Sequence, residues 1–273
     1  MKQETLKDKV VIITGATSGI GEACAKVFGK TGAIVVITGR NPEKLKFTSE
    51  QLLKQGVKVT PIHADASSEA DTKRMVELTL EKHGRIDILI NNAGITMRAL
   101  FQDLDLEVFK KVMDTNFWGT VYATKHALPE ILKTKGTIIG ISSINGFRGT
   151  PARTAYTASK FAINGFFDAL RTEVMNQGVH VLVASPGFTA SNIRNSALTA
   201  NGSTQGQSPR DESKMMTSEE VAKEILNATL KHKRDLILTT QGKMAVFVNK
   251  WFPGLMDTIV YNQMAKEKDS PFH

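Results

Sequence analysis

The chain contains one cysteine, Cys24, so an internal disulfide and a cysteine-based metal cluster are both excluded. Cys24 sits in an apolar helical pattern and reads as a small packing residue rather than a nucleophile. His63, His126, His180 and His232 have no metal-ligand spacing, so no metal site is expected. Aromatic residues are only 7% of the chain and no nucleic-acid motif accompanies its positive charge of +8, so nucleic acid is not an expected partner. The basic residues are scattered, with Lys231-His232-Lys233-Arg234 as their densest cluster. No apolar run reaches the ~18 residues needed to cross a bilayer. The polar segment before residue 10 lacks a secretory pattern, and a cytoplasmic location is the expectation.

What the sequence does have is rhythm. Short β-branched runs alternate with longer helical patterns, beginning with Val10-Val-Ile-Ile-Thr14, a continuous apolar run of the kind buried on both faces. Further strands are predicted over 33–38, 58–63, 86–90, 137–142 and 180–185, with a weaker one over 236–239. Helices are predicted over 19–30, from a cap at Asn41-Pro42, from a capping box at Ser68-Glu-Ala-Asp71 to His83, over 105–134 and 155–177, and from Thr217-Ser-Glu-Glu220. This alternation predicts a single α/β domain with a parallel seven-stranded sheet and helices on both faces. That unit spans 1–240, and an apolar extension follows over 241–273.

The first chemical signal is Thr14-Gly15-Ala16-Thr17-Ser18-Gly19-Ile20-Gly21, between a predicted strand and a helix. Glycines let the backbone turn tightly and approach a pyrophosphate, and the helix start offers free N–H donors. An ordinary strand-to-helix turn is the plainer reading of the same residues. The Gly-x-x-x-Gly-x-Gly spacing resembles that of the short-chain dehydrogenase/reductase family. Asn91-Asn92-Ala93-Gly94, Asn116, Ser143, Tyr156-Thr-Ala-Ser-Lys160 and Pro186-Gly187 then follow in that family's order. The resemblance covers roughly 7–240 and implies a Rossmann-type, doubly wound fold that is commonly a dimer or tetramer.

A dinucleotide fold that prefers NAD usually carries a carboxylate at the end of its second strand, bonded to the ribose 2′-hydroxyl. Here that place reads Thr38-Gly39-Arg40-Asn41. Arginine presents a planar fork suited to a phosphate, so NADP(H) is the expected cofactor. The alternative is an arginine merely solvated in a loop. By resemblance Asp65 contacts the adenine, although it also suits a helix N-terminal turn. Asn92, Ala93, Gly94, Pro186, Gly187, Thr189 and Ser191 complete the expected nucleotide contacts.

Tyr156 and Lys160 are i and i+4 and share a helix face. A free tyrosine, with a pKa of about 10, is a poor proton donor or acceptor near neutrality, and a neighbouring ammonium is expected to pull it down. The resemblance implies that Ser143 holds a substrate carbonyl, Tyr156 exchanges its proton, Lys160 also grips the nicotinamide ribose, and Asn116 holds a proton-relaying water. The expected reaction is hydride transfer between nicotinamide and a ketone, aldehyde or secondary alcohol. Competing readings on the same fold are a catalytically silent NADP(H)-binding regulator and a membrane-surface scaffold.

Two stretches break the rhythm. The polar 188–216 segment is expected to be loosely packed without ligand and to fold over the site on binding. With 96–102 and 146–154, it is where specificity is expected to reside. The tail carries Phe247, Trp251, Phe252, Leu255 and Ile259, expected to be buried on the body or across a subunit contact; a membrane surface, with Lys243, Lys250 and Lys266 as its basic side, is the rival.

Overall fold

The computed structural model describes residues 6–191, 193–206, 215–267, 270 and 272. Seven strands form one parallel sheet: β1 (Val10–Ile13), β2 (Ile34–Gly39), β3 (Lys58–His63), β4 (Ile88–Asn91), β5 (Thr137–Ile141), β6 (His180–Ser185) and β9 (Asp235–Ile237). Their order is β3-β2-β1-β4-β5-β6-β9. A short parallel pair, β7 (Thr189–Ala190) and β8 (Met216–Thr217), lies outside it.

The uninterrupted apolar runs have a direct cause, because side chains alternate across the sheet and both faces are covered. Val11, Ile13, Val35 and Ile37 pack under α1 (Gly19–Gly29), α2 (Pro42–Lys54) and α7 (Ser218–Leu230). Val10, Ile12, Val36 and Ile138 face α3 (Glu69–His83), α5 (Gly119–Thr134) and α6 (Thr154–Val174). The strand order reverses between β1 and β4, so their carboxyl ends splay around a crevice.

Several local expectations are refined. Asn41 caps α2 through its side chain, and Thr217 with Glu220 forms a complete capping box on α7. At Ser68 only half the box forms: its hydroxyl accepts from Asp71 N–H, while the Asp71 carboxylate turns to the Asp65 N–H at 2.8 Å and to Arg74. The single helix expected over 105–134 is divided into α4 (Leu106–Met113), a π turn at Asp114–Trp118 and α5. Asn116 lies in that π turn, a deformation frequent near functional sites.

The described part of the 188–216 segment is better packed than expected. Leu198 pairs with Met97 in a bridge, and Arg194, Ala197 and Leu198 are buried. Its short polar residues serve the backbone with local hydrogen bonds instead of leaving it loose, as Thr199 does to Ser203. Residues 192 and 207–214 of that segment lie outside the described residues.

The tail forms two helices, α8 (Thr240–Trp251) and α9 (Pro253–Ala265). Met256, Val260 and Met264 recur at i, i+4 and i+8 and make the inner stripe of α9. The five apolar residues expected to be buried are instead exposed, from 44% at Ile259 to 61% at Trp251. Burial of that set on the body is therefore overturned: one apolar stripe suffices to seat α9, and the other points away.

Candidate active site

The crevice at the reversal point is a single cleft of about 1240 Å³ reaching from the glycine loop to the inner sides of α8 and α9. All the residues anticipated for cofactor and chemistry line it except Gly21 and Asn116. Gly15 has φ +62°, and a side chain there would stand 2.8 Å from the Ala93 backbone. Gly21 has a packing role, since any Cβ would collide with the Asn92 amide. That amide donates to the carbonyls of Thr14 and Gly15, while the Thr14 hydroxyl accepts from Asn92 N–H and Ala93 N–H. The loop after β1 is thus tied to the end of β4, leaving the free start of α1 facing the cleft.

Arg40 stands at the carboxyl end of β2 and lines the cleft beside Lys44. Among the described residues no carboxylate meets its guanidinium; only its backbone carbonyl is engaged, by His63. Asn41 has spent its side-chain oxygen on the Lys44 N–H. The Asp65 carboxylate accepts from the Ser67 N–H and hydroxyl.

Ser143 follows β5, and its hydroxyl accepts from Asn145 N–H. Ser142 turns away to donate to the Lys160 carbonyl. Across the loop into α6, Ser143 is near enough to the Tyr156 hydroxyl to favour its ionised form. Tyr156 opens towards the cleft but is otherwise packed among Met97, Ala155 and Leu198. Burial raises its pKa above the usual 10, against smaller lowering effects of the Ser143 hydroxyl and the charges of Arg153 and Arg194.

The expected influence of Lys160 on the phenol is not found. The ammonium sits 5.5 Å from the ring centroid and donates to the Ile141 carbonyl at 2.8 Å. Buried itself, it is pushed down to about 8. Desolvation is the largest effect on the phenol, and Lys160 is not among the groups that act on it. The two arginines that do act on Tyr156 were missed: Arg153 stands one helical turn before it, whereas Arg194 carries no spacing signal at all.

Asn116 does not hold a water through its amide. Both amide hydrogens are spent, on the Ile95 carbonyl and the Ser159 hydroxyl, and its oxygen accepts from Ile95 N–H. Ser159 in turn donates to the Tyr156 carbonyl at 2.7 Å. Asn116 is a positioning residue that joins the segment after β4 to the turn carrying Tyr156.

The model of the family described as short chain dehydrogenase matches residues 9–202, which hold the glycine loop, Ser143, Tyr156 and Lys160. The chain belongs to the short-chain dehydrogenase/reductase family. This dehydrogenase/reductase is 38% identical over 271 residues to dehydrogenase/reductase SDR family member 7B of Mus musculus, covering 97% of this chain and 84% of that one. Two solved structures show the same fold. A short-chain dehydrogenase/reductase from Burkholderia phymatum in complex with NAD has a TM-score of 0.83 at 21% identity, with 93% of this chain and 96% of that chain covered. An alcohol dehydrogenase from Thermococcus sibiricus complexed with 5-hydroxy-NADP has a TM-score of 0.74 at 24% identity, covering 85% and 96%. Family membership makes the chain an oxidoreductase.

Proposed function

We propose that the protein is an NADPH-dependent reductase of ketones or aldehydes, with the reverse alcohol oxidation open to the same groups. The observation that carries the choice of nucleotide is Arg40, a cation without a carboxylate partner among the described residues, placed where β2 ends at the cleft. The two solved neighbours differ, one complexed with NAD and the other with 5-hydroxy-NADP, so the choice rests on Arg40. The residues present fit such a dinucleotide: a glycine turn locked open by Thr14 and Asn92, a helix start beneath it, and a guanidinium at the far end.

When bound, NADPH supplies the hydride. The chain does the rest. Ser143 donates a hydrogen bond to the substrate oxygen, and Tyr156 gives that oxygen its phenolic proton as the carbonyl carbon becomes a carbinol. A raised pKa keeps Tyr156 protonated at neutral pH, which favours reduction. Lys160 and Asn116 hold Tyr156 and the end of β5 in register, and Lys160 would also grip the nicotinamide ribose.

The test of the nucleotide is direct. Replacing Arg40 by Ala removes charge-assisted bonds of roughly 1.5–3 kcal/mol and weakens NADPH binding about 10- to 150-fold. NADH binding stays nearly the same, as read by calorimetric titration. Comparable NADH and NADPH affinities in the unmodified protein defeat the assignment.

A further inference from the structure

We infer that the outer face of α8 and α9 docks on an anionic lipid surface. On α8, Met244, Phe247 and Trp251 lie at i, i+3 and i+7, and Phe252, Leu255 and Ile259 continue the stripe onto α9; all six are exposed. The second side of α9 already packs inward through Met256, Val260 and Met264. A helix apolar on two sides has one face unsatisfied in water, and contiguous patches of this kind mark binding surfaces.

Three observations choose the occupant. The face is flanked by exposed Lys243 and Lys250, and the Lys250 ammonium lies 5.5 Å from the Trp251 ring centroid. Aromatic rings beside long basic side chains suit the headgroup level of a bilayer. The carboxylates nearby are already engaged, Asp257 by Arg148 at 2.6 Å and Glu267 by Arg98 at 3.4 Å, so the lysines meet little competing charge. These pairs also fix the helices to the body, as does Asn249 by donating to the Phe147 carbonyl. The face is therefore presented rigidly.

The third observation is continuity with the cleft. Met244 and Ile259 are both exposed and part of its lining, so the apolar surface runs unbroken into the interior past Val248 and Val260. A second copy seated here would close that rim. A lipid surface would instead let an apolar molecule pass from the bilayer into the cleft without crossing water. Among the described residues no helix is long and apolar enough to cross a membrane, and the proposed contact lies along the surface.

The full chain is floated with phosphatidylcholine vesicles, with and without phosphatidylserine. Unmodified protein rises with the phosphatidylserine vesicles and is released by high salt. Phe247→Ser with Trp251→Ser reduces the vesicle-bound fraction at least about tenfold, the change expected when two aromatic anchors stay in water. Lys243→Glu with Lys250→Glu removes the preference for phosphatidylserine. None of these four side chains lines the cleft, and far-UV dichroism, melting and NADPH affinity should match the unmodified protein. Protein that stays in the aqueous phase with both vesicle types overturns the proposal, as does flotation unchanged in the aromatic variant. A dimer that becomes a monomer in the aromatic variant, without any flotation, overturns it in favour of a second copy. Flotation is read without turnover, so its failure leaves the reductase reading standing, and the reverse also holds.

Discussion

Tyr156→Phe lowers kcat by about 10²-fold or more while leaving NADPH affinity nearly unchanged. The substitution removes one oxygen and keeps the ring, so packing against Met97, Ala155 and Leu198 is retained. What is lost is the proton that the substrate oxygen needs at the moment it becomes an alkoxide. In water that proton would come from a donor not held in place, and positioning is most of what the site provides. Ser143 still offers a hydrogen bond, so residual activity is expected rather than none. The loss appears in kcat and in kcat/KM alike, because the interaction belongs to the transition state. A Phe variant that keeps most of its turnover on a good substrate removes Tyr156 from the mechanism.

The second large effect belongs to Lys160, whose replacement by Met should depress activity while raising stability at neutral pH. Burial lowers Lys160 from the ordinary 10.5 to about 8, so the unfolded chain holds this proton more tightly than the folded one. Below about pH 8 both states carry the charge and the folded protein bears the full cost of burying it. Between pH 8 and 10.5 the folded state is neutral while the unfolded state still binds the proton, so stability contributed by this group rises with pH. Above that window the cost is gone. The shift corresponds to roughly 3 kcal/mol as an upper figure, because local rearrangement relieves part of it. The lost bond to the Ile141 carbonyl subtracts a pH-independent amount. The measurable quantity is therefore the stability difference between Lys160→Met and the unmodified protein: it favours Met most near pH 7 and declines by up to roughly 3 kcal/mol towards pH 10.5. A difference that stays constant across that range contradicts the buried ammonium.

The strands were legible because a doubly covered sheet demands unbroken apolar runs, and Lys58–His63 and His180–Ser185 fall where the sequence places them. The glycine loop, Ser143, Tyr156 and Lys160 were legible because their chemistry fixes residue type and spacing together. Where the sequence misled, long-range geometry decided. Nothing local says that the Asp71 carboxylate prefers the Asp65 backbone to its own helix start, or that Ile95 will claim the Asn116 amide. The electrostatics of Tyr156 depend chiefly on its own desolvation, which the i, i+4 spacing does not encode. In the tail, one apolar composition serves two stripes. Sequence hydrophobicity could not separate the stripe that packs inward, Met256 with Val260 and Met264, from the one left facing out.

The most direct test of the reductase reading follows an atom rather than a rate. The unmodified protein is given NADPH deuterated at the transferable position of the nicotinamide, together with a panel of aliphatic and aromatic ketones and aldehydes, and the alcohols are examined by mass spectrometry. Deuterium is expected on the carbinol carbon of at least one product, matched mole for mole by NADPH oxidised, and strongly diminished in Tyr156→Phe. NADPH that binds tightly yet delivers no deuterium to any carbonyl of the panel would contradict it and would make the protein a nucleotide-binding regulator on a dehydrogenase fold.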